Sequence, residues 1–575
     1  MKHKLYILLA VILTTAVSCK KDYLEKPPLD ELADDTFWTT ESNVRTFAYG
    51  FYAGYFPGYG SSFSWGKMLW GAPEGSLNDD FAPTTPTEFT RIVPANGGGW
   101  NFDNVRKANL FIKKVEGMAV GTGMTEEAKK HWIGVGRFFR AMQYHYLVNR
   151  FGDVPYYDTV IEESDVANLY KPRDSRVFVM DKVLEDLKFA AENVRLVDGI
   201  KRQTVNKDVV LAFTSRIMLY EGSWQKYHYA NTAKANEYFE AAKNAADLLI
   251  TSNRYSLGNY RTVFSSLDLS ENKEVILFRQ YVSGILTHSV MSYNNHQIQV
   301  GASKDLIESY VASDGLPIQV SPLYQGDRGL ENVFANRDPR ITETFAKEIR
   351  LSGMVPNLSS SGYSAHKFLN ESLKALNEGT GSLNQTDAPV MRYAEVLLNY
   401  AEAAAELGSI ANGDLDKSIN ILRQRPGINI PRLRVVGTQT LVENGPAFDD
   451  PKRDPSVSSI LWEIRRERRV ELVFEGFRWD DIRRWKKAEY IDTEAKIAIN
   501  RGAYIKKADY PGLSKSIYLD NDPNKTEGYI TPSVSAASAR RFTDPKIYLY
   551  PLPQDQLVLY KTQGGVDLVQ NPGWQ

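Results

Sequence analysis

Residues 464–485 read IRRERRVELVFEGFRWDDIRRW and lie in the most densely charged part of the chain. Between Glu463 and Glu489, nine basic and seven acidic side chains interleave. A nucleic-acid-binding face would not carry so many acids, because they repel phosphates. On a helical wheel one stripe holds Leu461, Ile464, Arg468, Leu472, Glu475 and Trp479. We therefore expect Arg468 and Glu475 to be semi-buried in a structural ion-pair network, paired with each other or with other charges.

Around this stretch, apolar residues recur every three or four positions, which indicates amphipathic helices. The predicted helices are one through Phe47, Phe51 and Tyr55, then 132–151, 207–222, 235–250 and 393–407, and a partner helix through Leu415, Ile419 and Leu422. Gly152 and Gly408 are expected to end two of them, and Asn412-Gly413 to form a turn before the partner helix. Alanines, which are small, occur at positions where two helices would pack closely.

These features predict a mostly α protein of tetratricopeptide-like helix pairs, with few short strands. No single pair carries the full repeat pattern, so generic antiparallel helix pairs remain the alternative. Gly/Ser/Asn/Pro-rich tracts separate the helical blocks, and tracts of this length are usually functional or inserted. We predict a single domain over 37–575, with inserted loop regions at about 252–390 and 427–545.

Composition sets broad limits on the class of protein. The 575 residues are 43% apolar and 24% charged, which excludes a disordered or collagen-like chain. Lys and Arg number 69 against 70 Asp and Glu, so no overall charge attracts nucleic acid. A single cysteine, Cys19, excludes an intrachain disulfide and a zinc site built on several cysteines.

The N-terminus predicts export and lipidation. Lys2 and Lys4 precede the mostly apolar or small residues 5–18, a stretch too short to span a bilayer but typical of a signal peptide. Ala16-Val17-Ser18 before Cys19 is similar to a lipobox, although Leu is more usual than Ala at position 16. We predict a signal peptide over 1–18, lipidation at Cys19 and a tether over 19–36. An ordinary signal peptide with a chance cysteine is the alternative.

Catalytic motifs are largely missing from the sequence. The seven histidines are scattered, and neither H-E-x-x-H nor G-x-S-x-G occurs. There is also no P-loop and no G-x-G-x-x-G. Carboxylate pairs such as Asp79-Asp80 could serve a glycosidase, but a chain with 70 acids forms such pairs readily. We predict a protein that is not an enzyme and that has no cofactor and no metal site.

Several blocks in the same order resemble the SusD/RagB family of outer-membrane nutrient-binding lipoproteins. The most specific is residues 464–485. The others are 137–141 (RFFRA), 151–155 (FGDVP), 392–403 (RYAEVLLNYAEA), 548–553 (YLYPLP) and 570–574 (QNPGW). Together they cover essentially the whole mature chain.

The resemblance implies a cell-surface binding protein rather than an enzyme, lipid-anchored in the outer membrane. It implies a SusC-like TonB-dependent transporter as partner and a glycan as ligand, with no nucleic acid bound. The RagB branch implies a peptide ligand as the alternative, and a surface glycan hydrolase is a weaker one. The quoted motifs look like scaffold, so none of them carries over as a ligand residue.

Ligand contacts must therefore be predicted from the chemistry of the residue types rather than from the family motifs. Sugar C–H faces stack on aromatic rings, and sugar hydroxyls need amide or charged partners. Aromatics outside helical stripes are therefore the candidates, and they form two clusters. The predicted contacts are Tyr59, Trp65 and Trp70 in the first cluster, and Tyr281, Tyr293, Asn295 and Tyr324 in the second. We expect at least one residue of each cluster to line a common groove. Trp100 is a weaker candidate that could be a packing anchor.

Overall fold

The structure is a computed structural model that describes residues 37–64, 68–69, 77–82, 84, 92–351, 359–511, 513, 517–535 and 546–574. It is mostly helical, with 43% helix and 10% strand, which confirms the predicted fold class. Within the described residues, every helix is too short or too polar to cross a bilayer.

The helices are α1 (Glu41–Tyr55), α2 (Asp103–Gly117), α3 (Glu126–Phe151), α4 (Val166–Leu169), α5 (Arg176–Asn193), α6 (Lys207–Tyr227), α7 (Thr232–Thr251), α8 (Thr262–Ser265), α9 (Val290–Asn295), α10 (Lys304–Ser309), α11 (Leu330–Phe334), α12 (Arg340–Thr344), α13 (Tyr393–Glu406), α14 (Asn412–Asp416), α15 (Ile419–Arg423), α16 (Ser459–Glu471), α17 (Arg478–Arg484) and α18 (Gln554–Gly564). Short 3₁₀ turns cover Asn377–Gly379, Ala488–Ile491, Ile497–Asn500 and Lys507–Asp509.

In the described part of the chain, eight short strands form three small antiparallel sheets. The strands are β1 (Val275–Arg279), β2 (Ala388–Arg392), β3 (Leu433–Val436), β4 (Gln439–Val442), β5 (Ala447–Phe448), β6 (Tyr504–Lys506), β7 (Tyr518–Leu519) and β8 (Glu527–Thr531). β1 pairs with β2, β3–β4–β5 form a meander, and β8 lies between β6 and β7. The β1–β2 pair leads directly into α13 at Tyr393, so it ties the loop region to the helical scaffold.

Helices that follow one another in sequence pack as pairs. α2 packs on α3, α3 on α5 and α6 on α7, while α13 packs between α7 and α16. The link between α6 and α7 is short, residues 228–231, as is typical of antiparallel neighbours. The predicted helix pairs are thus present. Their interpretation as tetratricopeptide-like repeats stays a prediction.

Two glycines end helices as the sequence predicts. Gly152 follows α3 and Gly408 lies two residues after α13, both with φ +74°, a backbone conformation that favours glycine. The turn predicted at Asn412-Gly413 is wrong, because both residues lie in the first turn of α14. The partner helix is also not continuous, since Ser418, with φ −139° and ψ −95°, separates α14 from α15.

The chain packs around two large apolar cores. The first joins the helices of the scaffold and includes Phe139, Phe213 and Ile464. The second lies within the predicted loop regions and includes Phe264 and Phe345. The long tracts are therefore packed structure with short helices and strands rather than loose loops. The prediction of one domain over 37–575 stays a prediction.

The charged stretch quoted at the outset connects the two cores. In α16, Ile464 packs into the first core and Val470 into the second. Buried charged side chains of this stretch pair with charges from other segments, and the connected group comprises five acids and five cations. They are Glu274, Asp338, Glu467, Glu471 and Glu475, and Arg340, Lys367, Arg392, Arg423 and Arg425. This group is called the buried ion-pair network below. It confirms the predicted structural role.

Arg468 and Glu475 are both buried as predicted, but each has other partners. Arg468 Nε lies 2.9 Å from Asp481 Oδ2, and Nη1 donates to Asn399 Oδ1. Glu475 accepts hydrogen bonds from Arg392 and Lys367. Burial lowers the pKa of Lys367 to about 8, against the opposing field of Glu475.

Candidate ligand-binding site

A cavity of about 600 Å³ opens between the helical scaffold and the charged stretch. Its walls come from α1, α3, α6, β2 and the α16–α17 region, so rigid elements hold most of it. This volume is typical of a small-molecule site. It is called the main cavity below.

The wall of the main cavity mixes aromatic rings with amide side chains. The aromatic residues are Tyr55, Tyr146, Phe213, Tyr220 and Phe477, and the amides are Asn101, Asn104, Gln143 and Asn149. Aromatic faces offer apolar contact and amides offer both donors and acceptors. Such a wall suits a ligand with apolar faces and many hydroxyls.

Two amides are oriented by neighbouring tyrosines. The Tyr55 hydroxyl donates to Gln143 Oε1 at 2.8 Å, and the Tyr220 hydroxyl donates to Asn149 Oδ1 at 2.8 Å. Burial raises the pKa of both tyrosines, so both hydroxyls stay protonated donors. Since the amide oxygens are occupied, the amide nitrogens are the groups left to bind a ligand.

An arginine–glutamate pair stiffens the opposite wall. Arg216 donates from Nε and Nη2 to the two carboxylate oxygens of Glu395, both at 2.6 Å. Its guanidinium lies 4.6 Å from the Phe213 ring centre and 5.1 Å from that of Phe477. The paired charges fix the ring of Phe477 at the cavity surface.

Tyr146 lies where the main cavity meets a smaller one. Its side chain is 43% exposed although it belongs to a core-like stripe of α3. The smaller cavity, of about 130 Å³, shares Tyr146, Asn149 and Phe477 with the main cavity and adds Arg150 and Tyr550. Tyr146 is therefore the exposed ring best placed to stack on a ligand that occupies both.

Two sequence-predicted contacts are buried. Tyr59 has no exposed surface, and its ring packs against Tyr281 and Phe368. Tyr281 is also buried, and its hydroxyl donates to Gly60 O at 2.7 Å. Neither ring is exposed for stacking on a ligand, because the predicted loop region has its own core. Trp100 is likewise a packing residue of the first core.

The other predicted contacts lie outside the main cavity. Asn295 is buried, and its Nδ2 donates to the carbonyl oxygens of Lys374 and Gly379. Tyr293 and Tyr324 are partly exposed, and the Arg337 guanidinium lies 5.6 Å from the Tyr324 ring centre. Trp65, Trp70 and Cys19 lie outside the described residues. The described members of the two clusters therefore do not line the main cavity.

The two loops that carry the clusters do meet. Ser62 N donates to Thr287 O at 3.0 Å. The residues that face outward there are Phe63, 54% exposed, and Ile285, 83% exposed. A groove of about 360 Å³ runs beside them along residues 283–287. This junction, the loop groove below, is a second candidate surface.

Sequence reasoning missed Tyr146, Phe477, Gln143 and Asn104 as cavity residues. Tyr146 continues the helical stripe of Val135, Phe139 and Met142, a pattern that indicates a packed helix face rather than a cavity wall. The sequence signal that could have identified the cavity is the set of polar residues next to that stripe. Gln143, Asn149 and Arg150 in the last turns of α3 predict a change of environment before Gly152.

The fold places the chain among SusD-like structures. A SusD-like carbohydrate binding protein from Bacteroides fragilis superposes with a TM-score of 0.64 at 22% identity, over 91% of this chain and 98% of that one. A second SusD-like protein from the same organism gives 0.64 at 23% identity, over 95% and 100%. At these identities the likeness shows the fold.

Sequence comparison leads to the family. SusD-like protein P2 of Formosa agariphila is 23% identical over 84% of this chain and 91% of its own length. A SusD-like protein of Bacteroides ovatus is 22% identical over 84% and 83%. Residues 350–574 match the SusD family model. The family model and these relatives support membership of the SusD/RagB family.

Proposed function

We propose that the protein captures an oligosaccharide at the cell surface and delivers it to a SusC-like TonB-dependent transporter. The observation that carries this proposal is the main cavity, where Tyr146 and Phe477 offer ring faces and Gln143 and Asn149 offer amide donors. The carbohydrate binding named for the Bacteroides fragilis neighbour supports the same ligand class.

Binding rather than catalysis follows from the state of the carboxylates. Glycoside hydrolysis needs two carboxyl groups that face the substrate. In the described lining of the main cavity, Glu395 is held by Arg216, Glu475 by Arg392, and Asp481 by Arg468. These acids hold the wall together, so we propose that the protein is not an enzyme.

The location and partner are proposals that rest on sequence. A lipid on Cys19 and a tether over 19–36 would hold the body at the outer membrane, exposed at the surface. The transporter partner is what the resemblance to the SusD/RagB family implies. Trp65, Trp70, Tyr293 and Tyr324 stay predicted contacts.

A binding screen tests the ligand class. Purified residues 20–575 would be applied to an array of oligosaccharides and to an oligopeptide library. We expect saturable binding to saccharides and none to peptides. Binding to peptides alone would favour the RagB-like role, and conversion of a bound saccharide to shorter products would contradict a pure binding role.

A further inference from the structure

The charged side chains that line the two cavities are almost all neutralised by a partner. In the smaller cavity Arg478 is paired with Asp79, Asp80 with Arg469, and Asp480 with Arg483 at 3.5 Å. The acids of the main cavity are paired as described above. Among the described lining residues, Arg150 is the one full charge without a carboxylate partner.

Two rings hold the Arg150 guanidinium in place without neutralising it. Its central carbon lies 5.2 Å from the Tyr146 ring centre and 4.2 Å from that of Tyr550. Nη1 donates to the Tyr146 hydroxyl at 2.6 Å, and Nε is buried without a hydrogen-bond partner in the described residues. Cation–π contacts orient a guanidinium but leave its charge and most of its donors available.

The backbone of Gly99 passes close beside this guanidinium. A Cβ at Gly99 would lie 3.4 Å from the guanidinium carbon of Arg150, which is van der Waals contact. Gly99 has φ +88° and lines the main cavity. Arg150 is therefore positioned at the boundary of both cavities, beside the exposed Tyr146 ring.

We propose that Arg150 makes this site selective for an anionic saccharide, one whose oxyanion pairs with the guanidinium while a sugar ring stacks on Tyr146. This inference rests on the proposed function and names its ligand class. A planar guanidinium binds carboxylates and sulfates through paired N–H groups, so both a uronate and a sulfate ester fit. A neutral sugar would leave the Arg150 charge uncompensated.

The first test changes the ligand rather than the protein. An array of matched oligosaccharides would pair each uronate with its methyl ester and each sulfated glycan with its desulfated form. We expect the acidic member to bind about 10- to 100-fold more tightly than its neutral partner, from the strength of charge-assisted hydrogen bonds. Loss of affinity on esterification identifies a carboxylate as the bound group, and loss of affinity on desulfation identifies a sulfate. Neutral members that bind as tightly as acidic ones would overturn the inference.

The second test changes Arg150 and uses Arg137 as a matched control. Arg137 lies on the same helix and also covers an aromatic ring, that of Phe189, at 4.2 Å. Arg150→Met should remove the preference for the acidic ligand and its salt dependence, whereas Arg150→Lys should keep part of both. Arg137→Met should keep both in full. Circular dichroism and the melting temperature establish that each variant is folded.

The outcomes separate this inference from the proposed function. If neutral and acidic saccharides bind equally and Arg150→Met binds like wild type, the anion site is wrong and glycan capture stands. If no saccharide of the array binds, both fail. If Arg150→Met does not fold, the ligand-side comparison still decides, because it uses the wild-type protein.

Discussion

Glu471 and Arg425 face each other at 2.7 Å with both side chains completely buried. The contact joins α16 to the segment that follows α15, and Glu471 also binds Arg392 at 2.7 Å and Arg340 at 3.0 Å. One carboxylate thus gathers three cations from three distant segments. The opposing field of these arginines holds the pKa of Glu471 well below its usual range despite the burial that raises it.

Removal of this carboxylate should be strongly destabilising. Glu471→Ala leaves three buried guanidinium groups with incomplete compensation, at an expected cost of about 3–5 kcal/mol in the free energy of unfolding. Urea denaturation, monitored by intrinsic fluorescence, measures this change in the free energy of unfolding. As a control, Lys201→Ala breaks the solvent-exposed pair with Glu271 and should change stability by less than about 1 kcal/mol. Equal stability of Glu471→Ala and wild type would contradict the structural role of the network.

Arg468→Ala should also lower the melting temperature, with or without ligand. Asp481 and Asn399 lose a buried partner, but Asp481 keeps Arg484 at 2.9 Å, so the loss should be smaller than for Glu471→Ala. Differential scanning calorimetry measures it. An unchanged melting temperature with lost binding would instead make Arg468 a ligand residue.

Two buried histidines should make the fold sensitive to acid. Burial lowers the pKa of His228, stacked on Trp224, and of His288 to about 3 each. Between pH 6.5 and 3 the unfolded chain binds these protons and the native chain does not. Their contribution to stability is therefore complete above pH 6.5 and is lost as the pH falls.

Chemical denaturation at a series of pH values tests this expectation. His228→Phe keeps the ring stack and should reduce the slope of unfolding free energy against pH between 6 and 4.5. Burial raises the pKa of Asp387 to about 6, which adds stability as the pH falls from 6 towards 4 and opposes the histidines. If the stability of the wild-type protein increased as the pH fell from 6 towards 4, the histidines would not dominate the pH dependence.

Cys19→Ala should release the protein from the membrane or block its maturation, because the thiol is the predicted lipid attachment site. Membrane fractionation and labelling with palmitate measure the two effects. A variant that fractionates with outer membranes and still takes up label would contradict lipidation at Cys19.

Local rules predicted the helical scaffold well. Periodicity located the helices that begin at Glu41, Lys207 and Tyr393, and Gly152 and Gly408 ended two of them as expected. The positions of Arg468 and Glu475 on the apolar stripe of a helical wheel also predicted that both are buried. Their partners were not predicted, because Arg392 and Asp481 approach from segments whose packing no local pattern specifies.

The candidate site was harder to predict because exposure depends on tertiary packing. Tyr59 and Tyr281 lack helical periodicity yet are buried, since irregular segments can pack around a core of their own. Tyr146 continues a core stripe yet is exposed, since the end of α3 borders the cavities. Periodicity identifies which residues share a face but not what that face contacts.

The central claim, glycan binding in the main cavity, is tested most directly by calorimetric titration of a confirmed saccharide ligand into Tyr146→Ala, Asn104→Ala and Ile285→Ala. The first two change the main cavity, and the third changes the loop groove. We predict that Tyr146→Ala weakens binding by about 1–3 kcal/mol, by analogy with aromatic–base stacking, that Asn104→Ala weakens it less, and that Ile285→Ala binds like wild type, all with unchanged melting temperatures. Full affinity in both cavity variants together with lost affinity in Ile285→Ala would contradict the claim and place the ligand in the loop groove.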